Sequence, residues 1–260
     1  MTELKQAEAT AHKRLLDYLD IHFYFQADTS ANDAAAKAVR LRATRSLWVN
    51  FPLILNFCVN FWSQDPTYVD ESWVGKDPQS HQPNPTAITL IPRIHSLIEQ
   101  NYPGTKLSIS EWASTNDNDI TGGLVTVDVL GLFGKYGVDA ATYWATPAEL
   151  GPVGLAYWLY RGYVSFPLSL ESFKHAPLIL YSFRYGTYFG SSSAQVKLNT
   201  PLPDTQSVYA GLEKGKLSLV ILNKNPDTPI AFDLSEVPSG KYFIRHFGGG
   251  AGVAKWQVGF

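Results

Sequence analysis

Along this chain of 260 residues the spacing of apolar positions changes character several times, and each change marks a predicted element. Leu15 to Gln26, LLDYLDIHFYFQ, is a dense apolar and aromatic run, the pattern of a parallel strand buried on both faces. A period of two places Asp20, His22 and Tyr24 on one face of it and Ile21, Phe23 and Phe25 on the other. From Thr86 to Gln100 the spacing is helical, through Ile91, Ile94, Leu97 and Ile98, with Pro92 tolerable only in the first turn and Pro103-Gly104 as the stop. Lys106 to Ser110, KLSIS, reads as the next strand and carries Glu111 and Trp112 to its C-terminal end. The polar STNDND makes a loop, a Val/Leu-rich helix runs from about Gly123 to Tyr136, Gly137 ends it, and Val138 to Trp144 forms a further strand. Strands alternating with helices predict an α/β fold with a parallel sheet and right-handed crossovers.

Beyond about Gly190 helical spacing disappears. SVYAGL, KLSLVILN, PIAFDLSEV, KYFIRHF and VAKWQVGF alternate with EKGK, KNPDTP, PSGK and GGGAG, which predicts short antiparallel strands in a sheet or sandwich. A domain boundary is expected near residues 190 to 200. The Gly248-Gly249-Gly250 run reads as a hairpin turn, because no βα crossover follows it as a phosphate loop would require.

Composition narrows the function classes. With 45% hydrophobic and 17% charged residues the chain is globular, and a net charge of -2 offers no field for a nucleic acid backbone. Nucleic acid is not an expected partner. The longest apolar run, Leu53 to Trp62, is broken by Asn56 and Asn60 and is too short to span a bilayer, so no membrane association is expected. Met1 to Arg14 is polar and helical in character, without the apolar stretch of a secretory signal. Cys58 stands alone, so no internal disulfide forms, and His12, His81, His95, His175 and His246 are scattered without ligand spacing. No metal site is expected from the residues. Seven Trp and 14 Tyr suit the apolar faces of sugar rings, though aromatic side chains fill cores equally well.

In a parallel α/β fold the reactive groups belong at the C-terminal ends of strands, where His22 and Tyr24, Glu111 and Trp112, and Tyr143 and Trp144 are found. Glu111 is the sharpest candidate, because a carboxylate beside an aromatic ring can sit against an oxocarbenium-like centre. From position alone an exposed loop or helix-capping role is the commoner reading of a Glu at a strand end. His22 and Tyr24 are candidates for contact with sugar hydroxyls or with Glu111, and His22 reads equally as a satisfied core histidine. Trp48, Trp73, Trp112 and Trp144 lie in or beside strand-end loops and are candidates for sugar stacking, as is Tyr143 for substrate binding.

LLDYLDIHFYFQ, RATRSLW, DPTYVDESW, IPRIHSLIEQNYPGTKLSISEW, GGLVTVDVLGLFGKYGVDAATYWATP and KLSLVILNKN together resemble glycoside hydrolase family 44, over most of the chain and in order. That resemblance implies a retaining endo-β-1,4-glucanase acting on cellulose-type or xyloglucan polysaccharides, with a (β/α)8 barrel followed by a β-sandwich. It implies that Glu111 of SISEW is the nucleophile, and that the acid/base Glu ends a strand upstream of LDYLDIHFYFQ. Glu71, Glu99 and Glu149 match no such motif. The expectation is therefore the C-terminal part of the barrel over residues 1–190 and a sandwich over 191–260, an incomplete and inactive fragment with a noncatalytic carbohydrate-binding or structural protein as the alternative. The resemblance further implies an extracellular location for the full-length enzyme, a monomer, a β-glucan partner, and a structural calcium ion that no Asp-rich loop here specifies.

Two runs interrupt the family pattern. Residues 49–64, VNFPLILNFCVNFWSQ, separate SLW from DPTYVDESW, and a GTN codon for Val49 with a CAG codon for Gln64 would let the segment begin and end as a retained intron does. A genuine surface insertion is the other reading, although surface loops are more polar than this. A second such run covers about residues 164–184.

Overall fold

The computed structural model describes residues 2–25, 31–47, 88–114, 116–148, 151–161, 192–196, 202–203, 205–225, 227, 244–245 and 256–257. Residues 49–64 and 164–184, like Trp48 and Trp73, lie outside them. In chain order the elements are α1 (Thr2–Ala11), β1 (Tyr18–Tyr24), α2 (Ala34–Arg42) continuing into a 3-10 turn (Ala43–Leu47), α3 (Leu90–Asn101), β2 (Lys106–Ala113), α4 (Ile120–Tyr136), β3 (Ala140–Tyr143) and α5 (Pro152–Arg161). There follow β4 (Ser192–Ala194), β5 (Gln206–Glu213), β6 (Lys216–Asn223), β7 (Ile244–Arg245) and β8 (Trp256–Gln257).

β1, β2 and β3 form a parallel sheet in that order. The helices between them begin and end where short-range chemistry dictates. Asp33 accepts a hydrogen bond from the Ala36 N–H ahead of α2, and Asp119 accepts one from the Thr121 N–H ahead of α4, each satisfying a donor that the first helical turn leaves over. Gly137 ends α4 at φ 72°, a left-handed conformation that costs glycine nothing. Leu107, Ile109 and Trp112 of β2, Phe23 of β1, Ile91 and Ile98 of α3, and Val125, Val129 and Phe133 of α4 share one buried cluster.

β1 is a parallel strand, but it is not buried on both faces as its composition predicts. Phe23 is 4% exposed, whereas Asp20 and His22 on the alternate face are exposed. The period of two within the run, more than its average hydrophobicity, decided the outcome: polar groups at every second position keep that face wet.

The second sheet is antiparallel, β4-β5-β6. β5 turns into β6 through Lys214 and Gly215, both at positive φ (47° and 77°), as a tight two-residue hairpin requires. Tyr209 of β5 is buried in the same cluster as the parallel sheet and presses so close to α4 that a Cβ on Gly131 would meet its ring at 2.2 Å. Beneath it lies a buried polar group. Asp128 of α4 accepts hydrogen bonds from Tyr209 Oη (2.5 Å), Thr44 Oγ1 (2.6 Å) and Lys224 Nζ (2.8 Å). The Asp128 and Lys224 side chains are each 1% exposed. Desolvation works against the Asp128 anion, but the Lys224 charge and the three hydrogen bonds outweigh it and hold the carboxyl below its ordinary range. Among the described residues no helix is long and apolar enough to cross a membrane.

Candidate functional site

The geometry of the site turns on one irregularity in β2. Ile21 pairs with Ile109, but the next residue of β1, His22, pairs with Glu111, so Ser110 is an extra residue in the ladder. Strict alternation after Leu107 and Ile109 would send Glu111 into the core and Trp112 out of it. The bulge reverses that parity. Glu111 instead emerges on the face shared by Asp20, His22 and Tyr24, with its side chain 28% exposed, while Trp112 turns inward.

On that face two groups converge on a single oxygen of Glu111. Tyr24 Oη donates to Glu111 Oε2 at 2.8 Å, and His22 Nδ1 lies 3.1 Å from the same atom. Among the described residues the other oxygen, Oε1, accepts no hydrogen bond. Desolvation, the hydrogen bond to Glu111 and the nearby carboxylate charge push the Tyr24 hydroxyl up to about 12, so it stays a proton-bearing donor at neutral pH. His22 also reaches Asp20, with Nε2 3.9 Å from Oδ2. Desolvation of Asp20 is outweighed by hydrogen bonds from Ser110 and Ser108 and by the charge of His22, and its carboxyl is held below the usual range. Asp20 is therefore an anion at neutral pH and a poor proton donor.

Of the aromatic candidates, Trp144 shares this face. It is 63% exposed, its ring is edge-on to Tyr24 at 6.5 Å, and its backbone N–H donates to the Trp112 carbonyl at 2.8 Å. Trp112 does not share it. At 1% exposure it lies edge-on to Phe133 at 5.3 Å and to Tyr143 at 4.9 Å, where a sugar ring cannot reach it. The stacking role expected of Trp112 gives way to a core role, because the bulge that exposes Glu111 buries the residue after it. Tyr143 is half-buried beside it. Its hydroxyl hydrogen-bonds Asp117 and accepts the Ser114 N–H at 2.9 Å, tying down the loop after β2 instead of facing Glu111. Burial and then the bond to Asp117 raise that hydroxyl beyond its ordinary range.

Asp20 and Ser110, which link the bulge to this cluster, escaped the reading of strand ends, since neither ends a strand. The available signal was a short acidic residue on the polar face of one strand and two serines, Ser108 and Ser110, on the strand beside it. Among the described residues there is no group of three or more His, Cys, Asp and Glu side chains that could hold a metal ion.

This arrangement can be set beside known proteins. No family model matches the chain. Endoglucanase A of Paenibacillus lautus is 36% identical over 248 residues, which cover 90% of this chain and 29% of that protein. The crystal structure of CelM2, a bifunctional glucanase-xylanase from a metagenome library, superposes with a TM-score of 0.61 at 27% identity, covering 86% of this chain and 35% of that one. A Paenibacillus polymyxa xyloglucanase from glycoside hydrolase family 44 gives a TM-score of 0.60 at 27% identity, covering 87% and 38%. The chain thus spans about a third of the length of the relatives it matches. Identity sustained over nearly its whole length, together with the shared fold, makes this chain a member of glycoside hydrolase family 44.

Proposed function

We propose that the chain supplies the nucleophile side of a retaining β-1,4-glucan hydrolase site, with Glu111 as the attacking carboxylate. The observation that carries the reading is the convergence of Tyr24 and His22 on Glu111 Oε2 alone. The Tyr24 hydrogen bond and the His22 ring on the same oxygen orient the carboxylate and leave Oε1 to approach an anomeric carbon, as a nucleophile must be held for attack. Tyr24 remains protonated throughout, so its hydrogen bond offsets the desolvation of the anion as substrate excludes water. Trp144 offers an exposed ring beside the site on which a pyranose could stack. The relatives named endoglucanase and xyloglucanase support a β-linked glucan as substrate, cellulose-type or xyloglucan.

Retention needs a second carboxyl group about 5–5.5 Å from the first, to protonate the leaving oxygen. The carboxyl that His22 also reaches, Asp20, is held ionised and cannot give that proton. On this reading the chain on its own attacks substrates whose leaving group departs without protonation, because Asp20, the second carboxyl described at the site, does not serve as the acid. The fold proposed for the whole is a (β/α)8 barrel, to which residues 1–190 contribute, followed by a β-sandwich over residues 191–260. The parallel β1-β2-β3 order and the antiparallel β4-β5-β6 order support this division.

The test compares two substrates. A dinitrophenyl β-cellobioside should release its phenolate in a Glu111-dependent burst, while carboxymethylcellulose and xyloglucan should show no hydrolysis above a Glu111→Gln control. General acid assistance is typically worth ~10²–10⁴-fold, and its loss falls on the polysaccharide alone. Glu111-dependent turnover of polysaccharide would mean that another group in the chain serves as the acid. Loss of the burst as well would leave a noncatalytic carbohydrate-binding protein.

A further inference from the structure

Glu111 reaches its position only because β2 carries an extra residue, and a bulge in a short parallel strand needs something to hold it. Regular pairing would keep the Leu107, Ile109 parity through position 111 and point the carboxylate into the core. The extra residue, Ser110, brings an N–H and a hydroxyl with it. Both are taken by one side chain: the Ser110 N–H donates to Asp20 Oδ1 at 3.1 Å, and Ser110 Oγ donates to Asp20 Oδ2. Asp20 stands opposite Ser108 in the ladder, two residues before His22 on the same face of β1. One carboxylate thus grips the bulge from the neighbouring strand, with one oxygen on the backbone and the other on the side chain of the same residue. Its Oδ2 also lies 3.9 Å from His22 Nε2, on the far side of the ring from the nitrogen that meets Glu111.

We infer that Asp20 is a positioning residue of this site: by clamping Ser110 it holds the bulge that turns Glu111 toward Tyr24 and His22. The inference rests on Glu111 being the nucleophile for its catalytic meaning, though not for its structural one. Asp20 takes no part in proton transfer. The hydrogen bonds from Ser110 and Ser108 keep it ionised against the cost of desolvation, which suits a clamp and disqualifies an acid. The effect of losing it is local. Asp20 lies on the exposed face of an exposed strand segment, so its removal opens no cavity in the cluster around Trp112. What changes is the preference of β2 for the bulged register over the regular one, and with it the direction in which Glu111 points.

Two readouts on the full chain test this, each with Asp20→Ala and Asp20→Asn. The first is NMR of the unliganded protein. In the wild type the Ser110 amide proton should titrate with the Asp20 carboxyl below the ordinary carboxylate range, and the Glu111 side chain should give Overhauser contacts to the Tyr24 ring. Asp20→Ala should abolish both while the melting temperature stays near that of the wild type. Asp20→Asn, whose amide oxygen still accepts the Ser110 N–H, should keep the Glu111–Tyr24 contacts. The second readout is the rate of covalent trapping by a dinitrophenyl 2-deoxy-2-fluoro-β-cellobioside. A reacting group misplaced by about 1 Å can cost ~10²-fold, so Asp20→Ala should lower the maximal trapping rate at least ~10-fold with the apparent inhibitor affinity unchanged, and Asp20→Asn should recover most of it. Glu111–Tyr24 contacts that survive in Asp20→Ala would overturn the inference, as would wild-type trapping by that variant. If the wild type is not trapped at Glu111, the nucleophile reading falls, and the NMR comparison alone still decides whether Asp20 holds the bulge.

Discussion

Two carboxylates in this chain are each met by a tyrosine hydroxyl and a nitrogen base, and they are put to opposite uses. Asp128, at the centre of α4, is fully buried and accepts from Tyr209, Thr44 and Lys224 on both of its oxygens. Glu111, at the bulge in β2, is partly exposed and is met by Tyr24 and His22 on one oxygen only. Burial and three hydrogen bonds spread over both oxygens make Asp128 a structural group: the anion stays put and joins α4 to the 3-10 turn and the second sheet. Incomplete satisfaction among the described residues leaves one oxygen of the partly exposed Glu111 without a hydrogen bond. The number of lone pairs left over distinguishes them better than either residue type or partner type.

The comparison breaks most readily at Glu111 itself. Glu111→Gln keeps the shape of the side chain and removes the carboxylate proposed as nucleophile, so the burst rate on an activated aryl cellobioside should fall at least ~10³-fold. Thermal melting followed by circular dichroism should hardly move, because a half-exposed side chain holds no core together. A large loss of stability in this variant would place Glu111 with Asp128 as a structural anion.

Asp128 should show the reverse pattern. Asp128→Ala strands Lys224 as a buried, unpaired cation, and breaking such pairs costs ~3–5 kcal/mol. Urea unfolding should record that loss, whereas the joint replacement Asp128→Leu with Lys224→Met should recover most of it. The pH dependence has a definite sign. The folded Asp128 carboxyl lies below its unfolded value, so its contribution is fully present above the ordinary carboxylate pKa of about 3.9 and is lost as pH falls through the lower folded value. The acid limb of the unfolding curve should therefore flatten in the joint variant.

These two groups also mark what the sequence made legible. The alternation of strands and helices, the stop at Gly137, the turn in EKGK and the polar face of β1 all follow from local chemistry, and local chemistry can be read along a chain. The bulge cannot. KLSISEW carries the same letters whether or not Ser110 is inserted into the ladder, and the choice depends on Asp20, 90 residues away. For that reason Trp112 reads as a site residue and is a core residue. Asp128 hides for a related reason. It sits in VTVDVLG on an apolar helix, and the partners that satisfy it lie 84, 81 and 96 residues away, at Thr44, Tyr209 and Lys224.

Smaller effects sharpen the contrast. Tyr24→Phe removes one charge-assisted hydrogen bond from the Glu111 carboxylate and should slow the burst by ~10–100-fold with little change in melting temperature. The hydroxyl titrates only near pH 12, so the rate contributed by Tyr24 should be constant across neutral and mildly alkaline buffers. Trp144→Ala removes an exposed ring that touches no reacting atom. It should weaken apparent cellobioside affinity by roughly 3–10-fold, the size of an aromatic contact of ~0.5–1.5 kcal/mol, and leave the maximal rate within about twofold.

The role of Glu111 can be read most directly from a covalent adduct. After incubation with a dinitrophenyl 2-deoxy-2-fluoro-β-cellobioside, which forms a glycosyl-enzyme without needing a proton donor, peptide mapping by mass spectrometry locates the sugar. One fluorocellobiosyl group should be found on the peptide that contains SISEW, esterified to Glu111, and none on the Glu111→Gln chain. A label on any other carboxylate, or labelling that persists in Glu111→Gln, would contradict the assignment of the nucleophile.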